Sequence, residues 1–169
     1  IYTARFVPAK ILQLLREHRP TMFIAIPSMY GALLHTKSAR PEDFASLRII
    51  VSGGEPLPTS IAEGFFDRFG VRINEGFGMT ETSPCTHWCR PHEYRPRSVG
   101  KPLPGVEHRI VDINTGRELP PGEEGELRLR GPNVMKGYYK LPEQTARAFD
   151  DQGWLRTGDM ARIDREGFL

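Results

Sequence analysis

The sequence predicts an α/β protein, with part of a helix-covered, mainly parallel sheet followed by a small antiparallel, β-barrel-like region. In the first part of the chain, short apolar segments alternate with amphipathic segments of helical period, which is typical of parallel βαβ units. After Pro102 the apolar residues alternate at period two, which favours antiparallel strands. We therefore predict an α/β subdomain at 1–101 and a β-rich subdomain at 102–169.

Apolar spacing and proline positions predict the helices. Pro8 suits a first helical turn, and the apolar residues after it recur on one face: Ile11, Leu12, Leu14 and Leu15. Ser28 is predicted to cap a second helix that runs through Leu34. A third helix presents one apolar face made of Ile61, Phe65, Phe66 and Phe69, and a last helix fits Pro142 to Phe149.

Short apolar or alternating segments predict the strands. Three lie in the first part of the chain: Met22 to Ile26, Arg48 to Val51, and Val71 to Asn74. Residues 76–105 are rich in proline and glycine, so we predict a loop there. Two alternating segments then predict antiparallel strands: Glu107 to Val111, and Glu126 to Arg130.

Composition excludes several classes of function. A net charge of +2, with acidic and basic residues interspersed, argues against a nucleic-acid-binding surface. No run approaches the ~18 apolar residues of a transmembrane segment. The two cysteines are too few for a disulfide framework and indicate a reducing compartment, so we expect a cytoplasmic protein. Composition leaves the oligomeric state open and is compatible with a homo-oligomer.

The two cysteines lie near two histidines, so a zinc site is an alternative for that segment. The residues are Cys85, His87, Cys89 and His92. Zinc knuckles usually have more closely paired ligands, and we therefore favour an irregular loop without a metal.

Two glycine-rich turns follow predicted parallel strands, at Ser52 to Pro56 and at Gly76 to Glu81. Ligands of open α/β sheets bind at the carboxyl ends of the strands, so the turns should be neighbours in space. Glycines let the backbone approach a flat ligand closely, and Phe77 offers an aromatic face. This arrangement suits a purine ring.

Three side chains add polar chemistry to these turns. Thr80 can donate to a phosphate, Glu81 is a hard oxygen ligand for Mg2+, and Asp159 follows a Thr-Gly turn and can accept from a ribose diol. Taken singly, each also fits a structural role, as a helix cap, a first-turn acid or a turn residue. No Walker loop, Rossmann fingerprint or serine-hydrolase elbow is present in the sequence.

Five segments in order resemble the core motifs of the adenylate-forming superfamily, which includes acyl-CoA synthetases, peptide-synthetase adenylation domains and beetle luciferases. They are Ser52-Gly-Gly-Glu-Pro-Leu57, Glu75-Gly-Phe-Gly-Met-Thr-Glu-Thr-Ser-Pro84, Gly125-Glu-Leu-Arg-Leu-Arg-Gly131, Val134-Met-Lys-Gly-Tyr-Tyr139 and Trp154-Leu-Arg-Thr-Gly-Asp159. The resemblance covers essentially the whole chain. The segment from Phe23 to Tyr30 looks most like fatty acyl-CoA ligases.

The resemblance implies a role for each site residue. Adenine would lie between Phe77 and the backbone of Gly54, Glu55 and Pro56, with backbone hydrogen bonds from Gly76. Thr80 would hold the α-phosphate, Glu81 would bind Mg2+, and Asp159 would hold the ribose hydroxyls. The acyl group would enter near Gly78 and Met79, where the missing side chain of Gly78 would leave room. Phe77 stands where tyrosine is commoner, and Glu55 where alanine is commoner.

The resemblance also implies the reaction. The carboxylate of an acid, in this resemblance a fatty acid, would attack the α-phosphorus of ATP, expel pyrophosphate and give an acyl-adenylate. A thiol, that of coenzyme A, would then attack the acyl-adenylate. A peptide-synthetase-type domain that loads a carrier protein is one alternative, and a non-catalytic α/β binding module is another. We expect the chain to be an internal fragment, because the family's phosphate loop, hinge and C-terminal domain with its lysine would lie outside it.

Overall fold

The computed structural model describes residues 3–169, which form two compact units. The first unit comprises the residues up to Gly76 together with 90–97, and the second comprises 77–89 together with 98–169. The boundary predicted near Pro102, between subdomains 1–101 and 102–169, stays a prediction.

Helices and short parallel strands alternate in the first unit and at its end. In chain order these are α1 (Pro8–His18), β1 (Met22–Ala25), α2 (Pro27–Leu34), α3 (Pro41–Phe44), β2 (Ile49–Ser52), α4 (Thr59–Phe69) and β3 (Asn74–Phe77). Strand β1 pairs in parallel with β2, from Met22 opposite Ile49 to Ala25 opposite Ser52. Strand β2 pairs in parallel with β3, with Ser52 opposite Glu75. The predicted mainly parallel sheet is confirmed.

A cluster of aromatic rings fills the core of the first unit. The rings of Tyr30, Phe44 and Phe65 are fully buried, and Phe69 is 4% exposed. Phe65 meets Tyr30 edge to face with ring centroids 5.5 Å apart, and it meets Phe44 in the same way at 5.1 Å. Such edge-to-face pairs add to the stabilisation that burial provides.

Three details of the first unit differ from the sequence prediction. Ser28 does not cap α2, because the helix begins one residue earlier at Pro27 and its N-cap residue makes no side-chain hydrogen bond. Phe66 is 37% exposed, so it lies outside the buried face of α4. The third strand begins at Asn74 and runs to Phe77 instead of spanning Val71 to Asn74.

The second unit consists mainly of antiparallel strands. Its elements after β3 are β4 (His87–Trp88), β5 (Lys101–Pro102), β6 (Glu107–Val111), β7 (Gly125–Arg130), α5 (Pro142–Ala148) and β8 (Leu155–Ala161). Strand β7 pairs with both β6 and β8, so the predicted antiparallel region is confirmed. Its apolar core comprises Val106, Ile110, Leu127 and Leu129.

The antiparallel pair β4–β5 lies within the segment that was predicted to be loop. Gly100 has a φ of 89°, and a side chain there would collide with the backbone of Trp88 and Cys89. The pairing of β4 with β5 therefore depends on a close backbone approach at Gly100. Hydrophobic periodicity in the sequence does not predict such an approach. Across residues 3–169, no helix has the length and apolar character that crossing a membrane requires.

We predict that Phe65→Ala destabilises the fold by about 3–5 kcal/mol, because it opens a cavity among buried rings. Phe66→Ala is the matched control next to it, and it should cost about 1 kcal/mol or less, since that ring is partly exposed. Urea unfolding followed by circular dichroism measures both values. Equal losses of unfolding free energy in the two variants would contradict the structure, in which α4 turns Phe65 into the core and leaves Phe66 partly exposed.

Candidate functional site

In the first unit, the turn after β2 lies beside the end of β3. A Cβ atom placed on Gly53 would lie 3.3 Å from the carbonyl oxygen of Gly76. The backbone N–H of Leu57 donates to Oε2 of Glu75 over 3.3 Å, and burial raises the pKa of that carboxyl group despite this hydrogen bond. Gly54 has a φ of 86°, which favours glycine. The two glycine-rich segments therefore meet at the carboxyl end of the parallel strands.

In the second unit, the chain turns sharply between Phe77 and Cys85. The Thr82 hydroxyl accepts a hydrogen bond from the backbone N–H of Met79 at 3.0 Å and lies 2.9 Å from the Met79 carbonyl oxygen, to which it donates. Thr80 to Thr82 form one short 3-10 turn. Thr82 is fully buried, whereas Thr80 is exposed at the surface of the turn. Thr82 is therefore a structural residue that sequence reasoning did not single out.

Gly78 has no free space where its side chain would be. A Cβ atom at this position would collide with the carbonyl group of Pro84 and with Cα of Cys85. The expectation that the missing side chain leaves room for an acyl group is therefore wrong. Glycine is needed here because the two sides of the turn pack backbone to backbone.

A segment that follows β7 holds this turn from one side. Asn133 donates through Nδ2 to the carbonyl oxygens of Thr82 at 2.7 Å and Cys85 at 2.9 Å. The N–H of Met135 donates to the Glu81 carbonyl oxygen at 2.7 Å. The hydroxyl of Tyr138 donates to the Glu81 carboxylate at 2.8 Å. The sequence marked this segment as a motif without giving these residues a role.

A chain of polar groups leads from Phe77 into the interior of the second unit. The hydroxyl of Thr86 donates to the Phe77 carbonyl oxygen at 3.2 Å and lies 3.0 Å from Nδ1 of His87. Nε2 of His87 lies 2.9 Å from Nδ1 of His108. These contacts are satisfied together if His108 donates to His87 and His87 donates to Thr86. Burial, and then the nearby His108, lower the pKa of His87 to about 3, and burial lowers that of His108.

Asp159 lies within strand β8 and not after an isolated turn. The pairing of β7 with β8 shifts register between Glu126 and Arg128, so that β8 bulges at Thr157 to Asp159. The Thr157 hydroxyl donates to the Leu127 carbonyl oxygen at 2.7 Å and accepts from the Asp159 N–H at 3.0 Å. Gly158 has a φ of 76°, which a bulge readily uses. Desolvation by neighbouring atoms raises the pKa of Asp159.

A buried ionic network fixes the start of β8. Oδ2 of Asp150 accepts from Arg109 at 2.6 Å and from Arg128 at 2.7 Å. Oδ1 accepts from the backbone N–H groups of Gln152 and Trp154, both at 3.0 Å. Burial alone would raise the pKa of Asp150, but these hydrogen bonds outweigh it and lower the pKa to about 2. The network thereby fixes the residue at which β8 begins, and the position of Asp159 follows because it lies in that strand.

The segment weighed as a zinc site makes ordinary polar contacts. The Cys85 thiol donates to the His87 carbonyl oxygen at 3.3 Å, and both ring nitrogens of His87 lie within hydrogen-bond distance of Thr86 and His108. Among residues 3–169, no group of three or more histidine, cysteine or acidic side chains is placed to hold a metal ion.

The structure distributes the predicted site residues over two units. Gly54, Glu55, Pro56 and Gly76 belong to the first unit, and the others belong to the second: Phe77, Gly78, Met79, Thr80, Glu81 and Asp159. Of the second group, all but Asp159 lie on one continuous turn. That a single nucleotide contacts both groups stays a prediction.

Comparison with known proteins identifies the family. The family model described as AMP-binding enzyme matches residues 1–139. The chain belongs to the AMP-binding enzyme family. The resemblance to adenylate-forming enzymes drawn from the five motifs is thereby confirmed.

Several relatives align with all or nearly all of this AMP-binding chain. A long-chain-fatty-acid–CoA ligase of Bacillus subtilis is 38% identical over all of this chain and 30% of its own length. A feruloyl-CoA synthase of an Amycolatopsis species is 35% identical, over all of this chain and 34% of its own length. The apo structure of MatB from Rhodopseudomonas palustris gives a TM-score of 0.92 at 36% identity, covering 99% of this chain and 33% of MatB. The ATP-bound form of MatB gives 0.90. The chain thus spans about a third of the length of these relatives.

We predict that the second unit loses stability as the pH falls below about 6.5. The folded pKa of His87 is about 3 and that of His108 is also lowered, so in acid the unfolded chain binds protons that the folded chain excludes. Each such histidine removes up to about 1.4 kcal/mol per pH unit. Chemical unfolding between pH 7.5 and 5 measures this slope.

Replacing one histidine tests its origin. His87→Gln should reduce the acid slope by roughly half, because one of the two depressed groups is removed. A wild-type free energy of unfolding that stays constant from pH 7 to 5 would contradict the prediction.

Proposed function

We propose that the chain is part of an ATP-dependent acid–CoA ligase that activates a carboxylic acid, specifically a fatty acid, as an acyl-adenylate and transfers the acyl group to coenzyme A. One observation carries the proposal: the turn from Phe77 to Cys85 exposes Thr80 at its surface and anchors Glu81 on both its backbone and its carboxylate. Relatives whose names specify CoA ligases or synthases support this reaction.

Backbone and hydroxyl groups would bind the nucleotide. The turn of Gly53 to Pro56 would offer its backbone to one face of adenine, and Phe77 would offer its ring to the other. The Thr80 hydroxyl would donate to the α-phosphate. Asp159 would accept from the ribose hydroxyls, and the bulge in β8 turns its backbone out of the regular ladder. An ATP-bound relative of the same fold supports the use of ATP.

Glu81 has the chemistry that a magnesium ligand needs. Among the residues that the structure describes, no lysine or arginine forms an ion pair with it, and its carboxylate contacts the neutral phenol of Tyr138. No cation among these residues therefore competes with a metal ion for the carboxylate, and carboxylate oxygen is the ligand that Mg2+ prefers. When bound, Mg2+ would neutralise charge on the phosphates as pyrophosphate leaves. The part of this chain is to hold the ligand, while Thr80 fixes the α-phosphate in line with the attacking carboxylate.

Several finer assignments stay predictions. Fatty acids are our proposal for the acid, and coenzyme A is our proposal for the acceptor thiol. A panel of carboxylic acids in ATP–pyrophosphate exchange, with the full-length parent protein, tests the acid. Formation of acyl-CoA instead of an acylated carrier protein tests the acceptor. The cytoplasmic location that the two cysteines indicate also stays a prediction.

We predict that two substitutions have separable effects in the full-length parent. Asp159→Ala should weaken ATP binding by roughly 10- to 150-fold, because it removes a charged hydrogen bond worth about 1.5–3 kcal/mol. Glu81→Ala should mainly slow adenylation, by about 10²–10³, because charge develops at the phosphates in the transition state. The exposed Asp151 provides a matched control, and Asp151→Ala should change neither quantity.

Steady-state pyrophosphate exchange at varied ATP concentration separates the two effects. An ATP affinity that Asp159→Ala leaves unchanged would rule out its ribose role.

We also predict that these residues alone form no acyl-adenylate at a useful rate. The chain corresponds to about a third of its relatives' length, and the family resemblance places a phosphate loop and a catalytic lysine in the remainder. Loss of one preorganised charged group typically costs about 10²–10³ in rate, and two would be missing. Pyrophosphate exchange by the purified chain, measured beside the full-length parent, tests this. Exchange at a comparable rate by both would show that the missing elements are dispensable.

A further inference from the structure

The hydroxyl of Tyr138 reaches Glu81 across 57 positions of the chain. It donates to Oε1 of the carboxylate over 2.8 Å. The phenol is an uncharged donor, so it lowers the rotational freedom of Glu81 without cancelling its charge.

Tyr138 is itself held in place by the start of helix α5. The backbone N–H of Tyr138 donates to Oγ1 of Thr145 at 2.9 Å. The Thr145 hydroxyl in turn donates to the Leu141 carbonyl oxygen at 2.9 Å. Gly137, with a φ of 149°, packs so closely that a Cβ atom there would lie 2.5 Å from Cγ2 of Thr145. The phenol thus extends from a backbone position that two contacts fix.

We propose that Tyr138 is a positioning residue that holds the Glu81 carboxylate in the orientation in which its remaining lone pairs ligate the metal ion of the bound nucleotide. A carboxylate offers about four lone-pair sites, so one hydrogen bond leaves the others for a metal. Hydrogen-bond partners of metal ligands orient them and thereby raise metal affinity. The inference rests on the proposed function, in which Glu81 is the metal ligand.

The backbone contacts make this role specific to the phenol. Met135 and Asn133 hold the backbone of the turn through Glu81 and Thr82, so the turn keeps its shape without the Tyr138 hydroxyl. Removing that hydroxyl should therefore release only the carboxylate. The next residue, Tyr139, is 85% exposed and its ring lies 5.2 Å from Nζ of Lys140, which makes it a matched control.

The test compares Tyr138→Phe with Tyr139→Phe in the full-length parent. One readout is the Mg2+ concentration that gives half-maximal ATP–pyrophosphate exchange. The second needs no catalysis: the affinity for Mn2+ in the presence of ATP, followed by loss of the free-ion signal in electron paramagnetic resonance. Tyr138→Phe should weaken both by about 3- to 10-fold, a modest effect because the hydrogen bond is partly exposed to solvent. Tyr139→Phe should match the wild type, and the KM for ATP at saturating Mg2+ should stay unchanged in both variants.

Two results would overturn the inference. One is metal dependence in Tyr138→Phe identical to that of the wild type. The other is a loss of exchange at every Mg2+ concentration without a shift in half-saturation, since that result indicates a general structural role. Failure of the proposed function can be distinguished from failure of this inference. The former would appear as absence of pyrophosphate exchange in the wild-type parent with every acid. The Mn2+ measurement would still test Tyr138 in that case.

Discussion

The close backbone approach of Gly78 to Pro84 and Cys85 is the constraint on which the candidate site depends. Any side chain at Gly78 would collide with the Pro84 carbonyl group, so the chain could not fold back within the few residues that separate the two positions. Thr82 then closes the turn by satisfying both the N–H and the carbonyl oxygen of Met79. Because backbone contacts and one buried hydroxyl shape the turn, the side chains of Thr80 and Glu81 are not needed for its structure.

Different interactions hold the two parts of the candidate site in the second unit. Around Glu81 the contacts come from neutral groups, namely the amide of Asn133, the N–H of Met135 and the phenol of Tyr138. Neutral donors fix the geometry of the carboxylate without forming an ion pair with it. The start of β8 is held instead by the ionic network of Asp150, whose charge is balanced by two arginines. Strong ion pairs thus serve the scaffold, and neutral hydrogen bonds serve the proposed metal ligand.

Much of the fold was predictable, because hydrophobic period and proline position act over a few residues. They predicted α1 and the antiparallel pair of β6 and β7 closely. The errors have two causes. Strand β3 was placed too early because Val71 and Ile73 are apolar, whereas the observed pairing of β2 with β3 begins at Asn74. Strands β4 and β5 were missed because each has two residues, and their pairing depends on a backbone approach at Gly100.

The sequence by itself determined the alternation of helices and parallel strands, the antiparallel pair of β6 and β7, the two glycine-rich turns and the family, because periodicity and ordered motifs are properties of the linear chain. Only the tertiary structure decided which groups surround them. Tyr138 reaches Glu81 from 57 positions away, and the bulge at Asp159 depends on a register shift between β7 and β8. The missing side chain of Gly78 accommodates the backbone of Pro84 and Cys85, although the sequence was equally compatible with a space for ligand. Such contacts depend on strand register and on packing between distant segments. Residue type and local spacing do not specify either of these.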